Sequence, residues 1–100
     1  MPMNTDGLAA ISKLDKWYRD HCNGTWEHLL GIKIETTDNP GWLVTFKELK
    51  LNQLALADVI GDLLRNYGAQ VATDGIMVRV FATSLQNCLI AAALLIDLPE

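Results

Sequence analysis

The sequence of 100 residues lacks the features that define several large classes of protein. It has only two cysteines, Cys22 and Cys88, which lie far apart and follow no charged-then-apolar leader. We therefore expect a reducing compartment and not a secreted disulfide framework. The longest apolar run, from Cys88 to Ile96, has nine residues, whereas a membrane-spanning helix needs roughly 20. These absences predict a cytoplasmic protein with no membrane segment.

An excess of basic residues is also missing. Eight Lys and Arg stand against twelve Asp and Glu, which gives a formal net charge of −4 and a pI near 5.0. Proteins that bind nucleic acids or anionic membranes need clustered basic side chains to displace counterions or meet headgroups. We therefore expect neither kind of partner, and a basic protein partner would be attracted weakly.

Motifs for catalysis are absent as well. The chain has no phosphate-binding glycine loop and no Gly-x-Ser-x-Gly elbow. His21, Cys22 and His28 could hold a metal, but no fourth ligand or Cys-x-x-Cys pair supports a metal site. The acids of a small hydrolase with His28 as base could be Asp20, Glu27, Glu35 and Asp38. We expect no catalytic residue, no cofactor and no metal, and we keep the hydrolase or metal protein as an alternative.

Half of the residues are apolar, which is enough for one compact domain over residues 1–100, and residues 1–4 are expected to form a disordered tail. Apolar residues spaced by three and four predict three helices. The first follows a cap at Thr5 or Asp6 and ends at Asn23-Gly24. The second runs from a cap at Asn52 to Gly68 and contains Gly61, where a close helix-to-sheet approach is expected. The third runs from the cap Ser84 to about Ile96.

Alternating residues predict two hairpins between these helices. In the first, strands with Ile32, Ile34 and Thr36 on one buried face and with Trp42, Val44 and Phe46 flank the turn Asp38-Asn39-Pro40-Gly41. In the second, residues 69–73 and 76–82 flank a two-residue turn at Asp74-Gly75, with the outer strand central in the sheet. The predicted fold is α+β with the order α-ββ-α-ββ-α, in which three helices cover an antiparallel sheet of about four strands.

The last predicted helix is apolar on nearly all sides. Such a helix must be covered all round, so it is either the central helix of the domain or a dimer surface. The candidate dimer residues are Leu85, Leu89, Ile90 and Leu94. A homo-oligomeric structural or interaction module built on this helix is the second functional alternative, and solution mass would test it.

The most distinctive residues lie around the first hairpin. The chain reads Lys16-Trp17-Tyr18, then Cys22-Asn23-Gly24-Thr25-Trp26-Glu27-His28, then Gly31 to Thr36, then Asp38-Asn39-Pro40-Gly41-Trp42. This pattern resembles the immunity protein 53 family of bacterial polymorphic toxin systems over about residues 14–46. The family is marked by a Trp-Glu pair and a Pro-Gly-Trp triplet, which stand here as Trp26-Glu27 and Pro40-Gly41-Trp42.

The resemblance implies a small cytoplasmic α+β protein that binds and neutralises the toxin domain of a competing cell. Because clustered acids can imitate nucleic-acid phosphate, we expect a nuclease toxin whose active site is occluded. The candidate toxin-binding residues are Asp20, Glu27, His28, Glu35 and Asp38. Each also has a structural interpretation: the acids can form an ordinary solvated surface, and Glu27 can accept backbone N–H groups at its corner. Trp26 and Trp42 can be interface anchors or core residues.

Overall fold

The computed structural model describes residues 3–99, with side chains from Gly7 onward. The elements are α1 (Met3–His21), α2 (Trp26–Leu29), β1 (Ile32–Thr37), β2 (Gly41–Phe46), α3 (Gln53–Tyr67), β3 (Gln70–Thr73), β4 (Val78–Ala82) and α4 (Leu85–Ile96). The predicted α+β class and element order are confirmed. The one-turn helix α2 was not predicted. Among the described residues, no helix is long and apolar enough to cross a membrane.

The four strands form one antiparallel sheet in the order β1-β2-β4-β3. Both predicted hairpins are present, and their second strands lie side by side in the middle of the sheet. One row of residues facing each other across all four strands is Ile34, Val44, Val80 and Val71. The prediction that β4 is a central strand is therefore confirmed, and β1 and β3 are the two edges.

The helices cover one face of this sheet. The central strands supply Val44, Phe46, Val78, Val80 and Ala82 to that face, and all five are fully buried. The opposite face, called the open face below, carries the alternate residues Lys33, Glu35, Leu43, Arg79 and Phe81. Lys33 and Arg79 are exposed, Glu35, Leu43 and Phe81 are half-buried, and Thr45 between Lys33 and Arg79 is buried, so this face of the sheet is only partly accessible to solvent.

Helix α4 lies at the centre of the domain. It packs against α1, α3 and both central strands, and seven of its twelve residues are buried. Leu89 and Ile90 are buried within the chain, Leu85 is half-buried, and Leu94 is 41% exposed. The interpretation as a central helix is confirmed, because its neighbours in the same chain cover its apolar surface. Of the four candidate dimer residues, Leu94 is the one left largely accessible.

Helix boundaries follow the predicted caps closely. Asn52 Oδ1 accepts from the N–H groups of Leu54 (3.0 Å) and Ala55 (3.1 Å), and Gly68 ends α3 with φ of +64°. Ser84 Oγ accepts from Asn87 N–H at 3.2 Å to open α4. Helix α1 starts earlier than predicted, since residues 3 and 4 of the expected tail belong to it. Residues 1 and 2 of that tail lie outside the described residues.

Three finer expectations are wrong. Nothing lies within 4 Å of a methyl group added at Gly61, so this glycine permits no close helix-to-sheet approach. The second hairpin turns over four residues, 74–77, because Asp74 Oδ1 accepts from both Ile76 and Met77 N–H at 2.9 Å and ends the pairing at Thr73 and Val78. Finally, Ile34 is 49% exposed, because β1 is at the sheet edge and α1 does not reach over it fully.

Candidate functional site

The chain passes from α1 to β1 through a tightly hydrogen-bonded corner, residues 22–31. Asn23 Oδ1 accepts from Thr25 N–H (3.0 Å) and Trp26 N–H (2.9 Å), which satisfies the first donors of α2. Glu27 reaches back, with Oε1 accepting from Asn23 N–H at 2.9 Å and Oε2 from Gly24 N–H at 2.8 Å. This reciprocal pattern follows the logic of a capping box. Gly24 takes φ of +95°, which a glycine adopts without strain.

The Glu27 carboxylate is therefore part of the corner itself. Its own backbone N–H and that of Asn23 are the main causes that hold the pKa of Glu27 below its ordinary value, with Gly24 N–H and the charge of His28 adding to them. Partial burial opposes this shift. The structural interpretation of Glu27 is confirmed, since both carboxylate oxygens already accept bonds from the chain's own backbone.

An aromatic cluster, defined by Trp17, Tyr18, His21, Trp26 and Phe46, holds the corner against α1 and the sheet. Trp17 lies edge-on to both Trp26 (centroids 5.6 Å apart) and Phe46 (5.4 Å). The His21 ring packs against Trp17 at 4.2 Å and Trp26 at 5.1 Å. Such tilted and edge-to-face pairs are the favoured aromatic geometries. Trp26 is thus half-buried and fixed in orientation while part of it stays accessible.

Beside this cluster lies a cleft of about 440 Å³. Trp17, His21 and Trp26 line one side, and the loop after β2, with Glu48 and Lys50, and the end of α4 line the other. Exposed His28 and Leu29, the latter 67% accessible, belong to the same corner. The surface therefore combines rigid aromatic rings with acidic and basic side chains. Tryptophan is enriched among the residues that contribute most to protein–protein binding.

The Pro40-Gly41-Trp42 triplet belongs to the opposite end of the sheet. It closes the first hairpin, where Thr37 pairs with Gly41. The Phe81 ring covers Gly41 on the open face, so that an added methyl group would lie 2.7 Å from Phe81 Cε1. Trp42 faces the helices and packs half-buried against the core. The triplet therefore has a packing role at the strand end.

The candidate toxin-binding residues do not form one patch. Glu27 and His28 lie in α2, within the corner, and Asp20 lies in the last turn of α1, just before the corner begins. Glu35 lies on the open face in the middle of β1, and Asp38 lies in the turn beyond it. Six residues of strand, about 20 Å at 3.3 Å per residue, separate the two ends of β1.

Sequence reasoning missed the partners that hold Trp26 in place. Trp17 and His21 are four residues apart, so they share one face of α1, and this spacing was the available signal. The cleft residues Glu48 and Lys50 were not recognised, because they alternate with Leu49 and Leu51 in a pattern that could equally prolong the strand.

The histidines and the exposed cysteine have local roles. His21 Nδ1 donates to the Trp17 carbonyl oxygen at 2.7 Å, and Cys22 Sγ donates to the Tyr18 carbonyl oxygen at 3.3 Å. Contact with Cys22 is also the main cause that raises the pKa of Tyr18. Among the described side chains, no three His, Cys, Asp or Glu come together as a metal site.

The structure is a small α+β domain with a rigid aromatic and charged surface at one end. The sequence matches the family model of immunity protein 53 over residues 11–89. The chain belongs to this family of non-enzymatic inhibitors, as the resemblance in residues 14–46 implied. The match runs from α1 through the second hairpin into α4, so it includes the half that carried no recognised motif.

Family membership shows the general function of the chain. The chain is an immunity protein of a polymorphic toxin system, and its partner is a cognate toxin. Comparison with curated proteins and with solved structures gives no significant match.

Proposed function

We propose that this chain neutralises a nuclease toxin in the cytoplasm by placing its corner surface over the toxin's active site. The observation that supports this proposal is the corner itself. It holds a half-buried tryptophan in a fixed orientation beside an open cleft that Glu48 also lines, and the exposed Asp20 and His28 precede and follow this tryptophan in the chain. A rigid aromatic side chain with a charged rim binds with little loss of conformational freedom.

A nuclease is the proposed target because of charge. Nucleases bind phosphate and therefore have basic active-site clefts, which acidic side chains complement. The Asp20 carboxylate bonds Lys16 Nζ at 2.6 Å, but both groups are exposed, and such surface pairs are worth little. Asp20 can therefore exchange Lys16 for a basic toxin residue. Glu27 acts indirectly in this proposal, because its carboxylate fixes the corner.

Co-expression with the toxin domain encoded by the neighbouring gene tests the function. We expect cells that make both proteins to survive, and we expect a dissociation constant in the nanomolar range or below, as neutralisation inside a cell requires. Cells that die despite abundant folded immunity protein would contradict the proposal.

Two charge reversals test the location of the interface. Asp20→Lys changes the corner, and Asp38→Lys makes the same change in the turn at the other end of β1. We expect Asp20→Lys to slow association with the toxin domain by on the order of tenfold at low salt, and Asp38→Lys to leave the rate near that of the wild type. If Asp38→Lys slows association and Asp20→Lys does not, the interface does not lie at the corner.

A further inference from the structure

The β1 edge of the sheet is unpaired on its outer side. Strand β1 is outermost, and within residues 3–99 its ladder runs only to β2. Lys47 N–H donates to the Gly31 carbonyl oxygen at 3.1 Å in the same register. Bonded pairs alternate along an antiparallel ladder, so the odd-numbered residues of β1 bond to β2. The N–H and C=O groups of Ile32, Ile34 and Thr36 therefore point away from the sheet, where another strand can pair with them.

An apolar groove runs beside this edge on the helix side. It has a volume of about 310 Å³ and lies between α1 and β1. One charged residue, Asp15, lines it, and the other lining residues are Ile11, Leu14, Tyr18, Ile32, Ile34 and Leu89. Ile11 is 53% exposed and Ile34 is 49% exposed, although both are large and apolar. A contiguous apolar surface of this kind on a small protein is typical of an interaction site.

The charges on the other side of β1 are symmetric about Ile34. Lys33 and Glu35 both lie on the open face, with Lys33 Nζ 3.6 Å from Glu35 Oε1. If two β1 strands pair antiparallel with Ile34 opposite Ile34, then Lys33 of each copy lies opposite Glu35 of the other. Opposite charges directly across a pair of strands are stabilising, and like charges are destabilising. The edge is thus complementary to itself.

We propose that two copies of this chain pair through β1, antiparallel and centred on Ile34. The two four-stranded sheets then form one continuous sheet of eight strands. The register matches the backbone, because Ile34 is among the residues whose N–H and C=O groups point outward. Each groove is covered by the other copy, so that Ile11 and Ile34 of both chains meet on the helix side. The pairing involves no toxin, so it can fail without affecting the proposed function.

Light scattering on the purified full chain tests this dimer. We expect the wild type to have twice the 11.1 kDa mass of one chain at micromolar concentration. Lys33→Glu and Glu35→Lys each place like charges opposite one another, and each should raise the dimer dissociation constant at least ~tenfold. The double variant Lys33→Glu/Glu35→Lys restores opposite charges and should dimerise like the wild type. An equimolar mixture of the two single variants should form a mixed dimer for the same reason.

Leu54→Lys is the matched control. Leu54 is 79% exposed on α3, away from the β1 edge, and the variant should still dimerise. Far-UV circular dichroism equal to that of the wild type shows that each variant is folded. A wild-type mass of one chain throughout the micromolar range would overturn the proposal. A dimer indifferent to both single reversals would also overturn it, since the contact would then lie elsewhere, for example at Leu94.

Discussion

At the scale of single residues, the two glycines Gly41 and Gly61 make opposite predictions. A methyl group added at Gly41 would lie 2.7 Å from Phe81 Cε1 and 3.0 Å from the Ala82 carbonyl oxygen, so the Phe81 ring must move off the sheet. We expect Gly41→Ala to lower the free energy of unfolding by about 1–3 kcal/mol, measured by urea denaturation.

Gly61→Ala serves as the control for Gly41→Ala. Gly61 lies inside α3 with open space around it, so alanine should stabilise the protein by about 0.5–1 kcal/mol through its higher helix propensity. Removing the Phe81 ring by Phe81→Ala should also reduce the cost of Gly41→Ala, because the two residues are in contact. An unchanged cost in that background would show that Phe81 is not the obstacle.

We expect the contribution of Glu27 to the stability of the fold to depend on pH. Backbone N–H groups hold the pKa of Glu27 below its ordinary 4.5, so the charged carboxylate stabilises the folded state above that pH. The stabilisation is lost as pH falls through the lowered folded-state pKa. We expect Glu27→Gln to be less stable than the wild type at pH 7, and we expect the difference to narrow as pH falls below 4.5.

Urea denaturation at several pH values measures this effect. Glu48→Gln removes a negative charge from the same end of the molecule, and its exposed side chain lies in a loop, so it should change stability little at pH 7. If the difference in free energy of unfolding between the wild type and Glu27→Gln stays constant from neutral to acid pH, the charged carboxylate does not stabilise the corner.

At the scale of elements, the central position of α4 predicts different stability effects for substitutions at two adjacent residues, Leu94 and Leu95. Leu95 is fully buried and Leu94 is 41% exposed. Leu95→Ala should cost about 2–5 kcal/mol because it leaves a cavity in the core. Leu94→Ala should cost much less, since little of its surface is removed from water on folding. Thermal or urea unfolding of the two variants compares them directly, and equal costs would contradict the central position of α4.

The elements themselves could be predicted from the sequence where local chemistry decides them. Asn52 and Ser84 accept hydrogen bonds from N–H groups in the first turn of α3 and α4, and the Gly68 N–H donates to carbonyl groups in the last turn of α3. All three predicted caps are therefore present. The first hairpin also turns where predicted, at residues 38–40, with Gly41 as the first residue of β2 opposite Thr37. The second hairpin was predicted with a two-residue turn, but its turn has four residues. The reason is that the Asp74 side chain accepts hydrogen bonds from the N–H groups of Ile76 and Met77, which removes these residues from the strand pairing.

Exposure and clustering could not be predicted, because they depend on contacts between distant parts of the chain. Ile34 alternates like a buried residue, and only the strand order makes β1 an edge. Asp20 and Glu27 lie at the α1–α2 end of the molecule and Asp38 lies beyond the far end of β1, although the sequence offered no reason to separate these three acids. The sequence therefore predicted which residue types form the candidate site. Only the fold shows that these residues lie at two ends of the molecule.

At the scale of the whole molecule, the net charge of −4 makes a prediction about association kinetics. If acids at the corner guide a basic toxin, the association rate should fall as salt rises, because the Debye length shrinks from about 10 Å at 0.1 M to about 3 Å at 1 M. The dissociation rate should change much less, because the contacts that hold the complex are short-ranged.

The charge variants separate guidance by the corner from guidance by the total charge. Asp20→Lys and Asp38→Lys change the net charge by the same amount, so any difference in their salt dependence reflects position. We expect the slope of log association rate against ionic strength to flatten in Asp20→Lys and to stay close to the wild-type slope in Asp38→Lys. Stopped-flow mixing with the toxin domain measures both slopes. Equal flattening in the two variants would mean that overall charge attracts the toxin and that the corner has no special part in the encounter.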